Sequence, residues 1–370
     1  MAVVVLDQRL LELVDEDVAV EKIATGYVFT EGPVWHPTEK HLTYSDIYDE
    51  HGGTVYRWTP SGGAQVFRRP SEHANGNTYD RQGRLISCLH DRRLIRTNAD
   101  GSIEDLATNW DGKRLNSPND VICVGNGDIL FTDPNYGLRQ PDGSMAPGDY
   151  PGCGVFRLKP DGTLSMLVDS LPSPNGLTLT DDGRTLYVCN TSEQNVYAYS
   201  VTSEGAVGNG RVVCELKHGD HQGRPDGMKL DSRGNLWVAG NSAEGIWVFE
   251  PGGTLLGFVG TGDEMNRQRT APGGPANLAW GDADWRTLYL TASSSLYRLR
   301  LTQNRKKVDV SDPALAERVA DNLAKFDPTE SESLIVGKGF GTTPSIEQGP
   351  DGNLYVVSIT DGAIYKISRN

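Results

Sequence analysis

The chain has 370 residues and a formal net charge of −14, from 35 Lys and Arg against 49 Asp and Glu. No basic patch is longer than Arg305-Lys306-Lys307, which argues against nucleic acid and anionic membrane as partners. No apolar run approaches the ~20 residues of a spanning helix, and the 43 Gly and 20 Pro are spread along the chain rather than gathered in a linker.

In chain order, the first element is Val18-Ala19-Val20-Glu21-Lys22-Ile23, an alternating strand with no hairpin partner of its own. From Thr30 onward one grammar repeats. A turn-forming slot leads through a turn to an apolar strand, then in most units to a third strand and an outer strand. The slot holds Glu31 (EGPVW), Asn75 (ANGNT), Asn119 (SPNDV), Asn175 (SPNGL), Asp226 (RPDGM), Asn277 (PANLA) and Ser345 (TPSIE). The steps between them are 44, 44, 56, 51, 51 and 68 residues. The fourth unit shows the grammar most plainly. Ser173-Pro174-Asn175-Gly176 opens it, Asp182-Gly183 can take the positive φ angles of a tight hairpin, and Leu186-Tyr187-Val188 follows. Leu42-Thr43-Tyr44, Leu85-Ile86-Ser87 and their equivalents are read as inner strands.

A period of about 40–50 residues with paired strands in each unit predicts an all-β propeller over 1–370. The strand at Val18–Ile23 then closes the ring against the last unit and removes an exposed edge. One segment breaks the rhythm. Asp312-Pro313 is a helix start, Leu315, Val319, Leu323 and Phe326 share a helical face, and Asp327-Pro328 ends it. Residues 303–342 therefore read as an insertion with a short helix, and 343–370 as an extra C-terminal repeat. The five cysteines, at 88, 123, 153, 189 and 214, form no CxxC pair and no even framework. With no basic n-region before Leu6, this predicts a reducing, cytoplasmic setting.

The slots carry the chemistry. In a propeller the innermost strands line a central channel, so equivalent slots meet on one axis. An Asn or Asp beside Gly is also ordinary turn chemistry, but Glu31 has no such preference and holds the same position. Two carboxylates, Glu31 and Asp226, are costly to leave unpaired in a narrow channel. A divalent cation resolves that cost, and all-oxygen ligation suits Ca²⁺, Mg²⁺ or Mn²⁺ better than a thiolate-preferring metal. No HExxH, EF-hand loop, Cys/His quartet or GxSxG elbow offers a competing centre.

Residues from about 22 to 302 resemble the senescence-marker-protein/gluconolactonase (regucalcin-like) family. The likeness rests on Thr30–Trp35, Ala74–Thr78, Lys113–Val121, Phe131–Gly137, Pro174–Leu177, Pro225–Lys229 and Leu288–Tyr297, in that order and spacing. The resemblance implies a metal-dependent propeller of six blades. It implies Glu31, Asn175 and Asp226 as ligands of one divalent ion, calcium first, with magnesium, manganese, zinc and iron as alternatives. Asn119 would bind that ion or orient the substrate carbonyl, and Asp226 would take the proton of the attacking water. The implied activity is hydrolysis of a sugar-type lactone, a small-molecule substrate. A phosphotriesterase-like hydrolase and a non-catalytic ligand-binding propeller are the competing functions.

Asn75, Asp133, Tyr136 and His73 are candidate substrate contacts, and His90 is a further one. Two features depart from the family pattern. Ser117 stands where regucalcin-like members have a substrate-binding arginine, so sugar preference does not carry over. The repeat beyond Thr343 is additional, and a ring of seven blades is the alternative if it joins.

Overall fold

The structure, a computed structural model, describes residues 3–241, 245–260, 274–301 and the C-terminal strands Ser345–Gln348, Leu354–Ser358 and Ala363–Ile367. It divides into two units, Met1–Asp312 and Pro313–Asn370. In the first unit every repeat of the sequence grammar becomes one antiparallel sheet. Thr30–His36, His41–Asp46, Thr54–Thr59 and Gly63–Arg68 pair in chain order as the first blade. The second blade starts at Ala74–Tyr79, the third at Val121–Cys123, the fourth at Pro174–Leu179 and the fifth at Arg224–Leu230. Val3–Val5 adds a further strand to the outer edge of the fifth, beside Leu255–Val259.

The sixth blade decides the size of the ring. It contains Pro275–Gly281, Thr287–Ala292 and Ser295–Arg300, and its fourth strand comes from the other end of the chain. Val20–Thr25 runs antiparallel to Ser295–Arg300, with Val20 opposite Leu299 and Thr25 opposite Ser295. The propeller therefore closes at six blades, with the N-terminal strand on the edge that a seventh blade would have left open. The expected closing role of this strand holds, and the seven-bladed alternative gives way. The C-terminal strands form a three-stranded antiparallel sheet of their own. The helix expected from Asp312 onward lies outside the described residues.

One strand assignment is corrected. Neighbouring first strands pack against one another all round the ring, so the slot strand itself is innermost. Leu42–Tyr44 and its equivalents belong to the second strands. They are the more regular and apolar segments, which is why they read as the centre of each unit.

Between blades the core is aromatic and aliphatic. Trp35 of the first blade stacks on Tyr289 of the sixth at 5.6 Å between centroids, and Phe131 stacks on Phe156 within the third at 5.3 Å. Val3, Leu10, Leu13 and Val14 join the cluster shared by the first, fifth and sixth blades. All five cysteines are buried and none forms a disulfide. No described helix is long and apolar enough to cross a membrane.

Candidate active site

Five of the six slots in the ring are aimed by a backbone irregularity, Asn119 being the exception. The pairing register shifts between Glu31 and Val34, Ala74 and Asn77, Pro174 and Leu177, Pro225 and Met228, and Pro275 and Asn277. A bulge of this kind bends a strand and turns a side chain away from the ladder. The local sequence forces it. Gly32 takes φ +53, a left-handed conformation that disfavours any Cβ.

The residue after the slot then sits against the next slot around the ring. A Cβ built on Gly32 would lie 2.0 Å from the Asn75 carbonyl oxygen, on Gly76 2.4 Å from that of Asn119, and on Gly176 2.3 Å from that of Asp226. Asp120 replaces glycine in the third unit, and its carboxylate spans the gap to the fourth blade by accepting from Leu177 N at 3.3 Å. Asn277 closes the circle. Its Nδ2 donates to Glu31 Oε2 at 3.0 Å.

Glu31 and Asp226 are both buried, 3% and 6% exposed. Burial first, then the charge of Asp226, raises the Glu31 carboxyl well above the ordinary range. Asp226 is pushed up to about 7, by burial first, with Asp120 adding to the rise and hydrogen bonds from Asn241 and Asn175 opposing it. Both carboxylates are held by hydrogen bonds. Glu31 Oε2 accepts from Gly32 N at 2.7 Å and from Asn277. Asp226 Oδ2 accepts from Asn241 Nδ2 at 2.7 Å. Asn175 also bonds the Asp226 carboxylate, and Glu31 Oε1 takes none of these bonds.

A second ring of side chains, which sequence reasoning passed over apart from His90, holds the first. It comes from the ends of the second strands, 15 or 16 residues after the slot. His90 Nε2 lies 3.0 Å from Asn75 Nδ2, Thr191 Oγ1 accepts from Asn175 Nδ2 at 3.1 Å, and Asn241 holds Asp226. Thr191 in turn donates to the Pro225 carbonyl at 2.7 Å, tying the fourth blade to the fifth.

The other expected site residues have distinct placements. Asn119 is buried, with its backbone N–H donating to Thr132 O at 2.9 Å and its carbonyl accepting from Gly76 N at 2.8 Å. Asp133 is fully buried, and its carboxylate accepts from Asn116 N and Ser117 N, both at 2.7 Å, and from the Tyr150 hydroxyl at 2.5 Å. It is thus a clasp for the loop that carries Asn119. Ser117 is buried too, its hydroxyl donating to Pro134 O at 2.7 Å and accepting from Gly137 N at 2.9 Å. Tyr136 shares a hydrogen bond of 2.8 Å with the Ser173 hydroxyl. His73 sits at φ +54 and pairs with Asp91 at 3.0 Å, more open to solvent than the ring. Among the described residues, no group of three or more His, Cys, Asp or Glu side chains stands ready to hold a metal. The slot side chains of the ring are two carboxylates, Glu31 and Asp226, with carboxamides.

Fold and site together define a six-bladed β-propeller with buried acid and amide side chains on its innermost strands. The chain belongs to the SMP-30/gluconolactonase/LRE-like family, whose model matches residues 29–294. That span takes in all six slot strands. The chain is 32% identical over 315 residues to the gluconolactonase of Zymomonas mobilis, covering 79% of this chain and 84% of that one. It is 31% identical over 267 residues to the pentonolactonase of Haloferax volcanii, covering 71% and 81% respectively. Among solved structures it resembles a Xanthomonas campestris gluconolactonase at a TM-score of 0.71 and 32% identity, over 81% of this chain and 95% of that one.

Proposed function

We propose that this propeller opens a sugar lactone to its acid, with a divalent cation held between Glu31 and Asp226. The chain is a carboxylic ester hydrolase of the lactonase kind. The observation that carries the cation is the electrostatics of the pair: both carboxylates are raised first by burial, and the charge of Asp226 raises Glu31 further. Oxygen donors without a thiolate suit a hard cation. Glu31, Asn175 and Asp226 would hold it, with Asn119 beside it. Calcium is the first choice, and magnesium, manganese, zinc and iron are the alternatives. Such an ion supplies Lewis acidity at a carbonyl oxygen and makes water a better acid.

The chain's own residues do the rest. Asp226, held by Asn241 and Asn175, takes a proton from the attacking water. The Asn119 carboxamide offers N–H groups to the carbonyl oxygen as negative charge develops there, without adding charge of its own. Asp133 keeps the 116–119 loop in place, so that the amide is positioned before the substrate arrives. The buried thiols, none in a disulfide, suit the reducing interior of a cell, and the partner is a small molecule.

A pH-indicator assay over a panel of lactones tests this reading. Acid release from gluconolactone-type substrates supports it. Acid release from paraoxon-like esters alone would move the site to phosphotriester hydrolysis, and no turnover of either would leave a ligand-binding propeller.

A further inference from the structure

We propose that Tyr48 is a substrate-contacting hydroxyl donor at the channel mouth, which reads a ring hydroxyl of the lactone, and that His90 is its positioning residue. The proposal rests on the lactonase reading and deepens it.

The placement comes from register. Glu31 pairs with Ser45, so Tyr48 follows directly from the end of the second strand at the Glu31 end of the first blade. His90 occupies the equivalent place in the second blade, since Ala74 pairs with Leu89. Tyr48 is 48% exposed although it is a large aromatic, with Phe29 and His73 each 6.3 Å away between ring centroids. Its hydroxyl lies within reach of the charges on Glu31, Asp226 and Arg139.

The hydrogen-bond chain assigns the protons. Asn75 Nδ2 only donates, so His90 Nε2, at 3.0 Å, is the acceptor. A neutral imidazole then carries its proton on Nδ1, and burial keeps His90 neutral by lowering it to about 4. Nδ1–H donates to the Tyr48 oxygen at 3.2 Å. The tyrosine's own proton is left pointing away from His90, ready for an acceptor in the channel mouth. A phenol is protonated across the working range, and partial desolvation, then the charges of Glu31 and Asp226, raise Tyr48 further. An aromatic edge with one fixed O–H suits a polyol ring better than an unsubstituted lactone.

The test compares kcat/KM for glucono-δ-lactone with that for δ-valerolactone, which lacks ring hydroxyls. Tyr48→Phe is expected to lower this ratio about tenfold, through KM of the sugar lactone, the size of one neutral hydrogen bond. Two replacements of His90 separate its arms. His90→Asn places an amide nitrogen near the Nδ1 position and is expected to keep the ratio close to that of the unaltered protein. His90→Gln can accept from Asn75 but not donate to Tyr48, and is expected to lower the ratio as Tyr48→Phe does. A ratio unmoved by Tyr48→Phe, or moved equally by both histidine variants, overturns the assignment. If the unaltered protein hydrolyses neither lactone, the lactonase reading has failed, and calorimetric binding of gluconate against hexanoate decides. A preference for gluconate that Tyr48→Phe abolishes keeps the rim contact; no preference, or one the variant leaves intact, ends it.

Discussion

Asn277 on the sixth blade donates its side-chain amide to Glu31 on the first at 3.0 Å, joining residues 246 apart in sequence. Its own Oδ1 is held by Leu278 N at 2.9 Å, so the direction of the amide is fixed. The bond closes the inner circle at the point where ring closure brings the two ends of the propeller together, and it aims a carboxylate at the axis.

Asn277→Ala removes that aim. Partners that orient a metal ligand typically matter by 10–100-fold in affinity. The variant is expected to stay folded and to bind calcium roughly tenfold more weakly. Calorimetric titration measures it, and an unchanged affinity would show that Glu31 needs no support from the sixth blade.

Gly32 is restricted twice, by φ +53 and by the Asn75 carbonyl oxygen 2.0 Å from where a Cβ would stand. Gly32→Ala is expected to cost roughly 2–5 kcal/mol, from left-handed strain and overpacking together. Gly112, at φ +74 in an open hairpin with nothing within 4 Å of a Cβ, carries only the strain. Its alanine variant is expected to lose about 1 kcal/mol. Urea denaturation of the pair compares the two, and equal losses would remove the close approach from the account.

The carboxylates make a prediction about pH in metal-free protein. Asp226 is raised to about 7 and Glu31 is raised as well, so the folded state holds more protons than the unfolded one between about pH 4 and 7. This contribution to stability is present at low pH and is lost as pH rises through that window. Buried His41 and His90, lowered to about 3 and about 4, act in the opposite sense below about 6.5. The readout is therefore the difference in Tm between the unaltered protein and Asp226→Asn, in chelator. The variant is expected to gain on the parent steadily from pH 5 to pH 8, and added calcium to reverse the order at pH 8. A pH-independent difference would mean that burial does not raise Asp226.

These results show which parts of the molecule could be read from its letters. The slots were legible because bulge, glycine and side-chain aim are all local consequences of a few residues, as at Glu31-Gly32-Pro33. The supporting ring was not. Thr191 and Asn241 sit at the ends of other strands, and their 15–16-residue offset from Asn175 and Asp226 has meaning only once those strands are paired. Asp120 drew no attention for a related reason: it stands beside a slot, and its carboxylate is seen to bridge two blades only once they are packed. Blade number lay beyond the repeat pattern, which reads the same in six units as in the stretch around Leu354-Tyr355-Val356. It was settled by an edge, the one on Ser295–Arg300 that the N-terminal strand covers.

That edge can be tested. Deleting residues 1–25 strips the strand from Ser295–Arg300 and removes Val3, Leu10, Leu13 and Val14 from the shared core. An uncovered strand edge invites pairing between molecules. The shortened chain is expected to lose cooperative unfolding and to aggregate, as size-exclusion chromatography and circular dichroism would show. A monomer with the parent's Tm would mean that the ring holds without its N-terminal strand.

The central claim is that Glu31 and Asp226 share one divalent ion and that the lactone ring opens there. The most direct measurement strips the protein of metal, refills it with single cations, and follows acid release from glucono-δ-lactone in the parent and in Asp226→Ala. The account predicts turnover that is absent in chelator, returns with calcium or another hard cation, and does not return in the variant. Full activity in chelator, or an active Asp226→Ala, would contradict it.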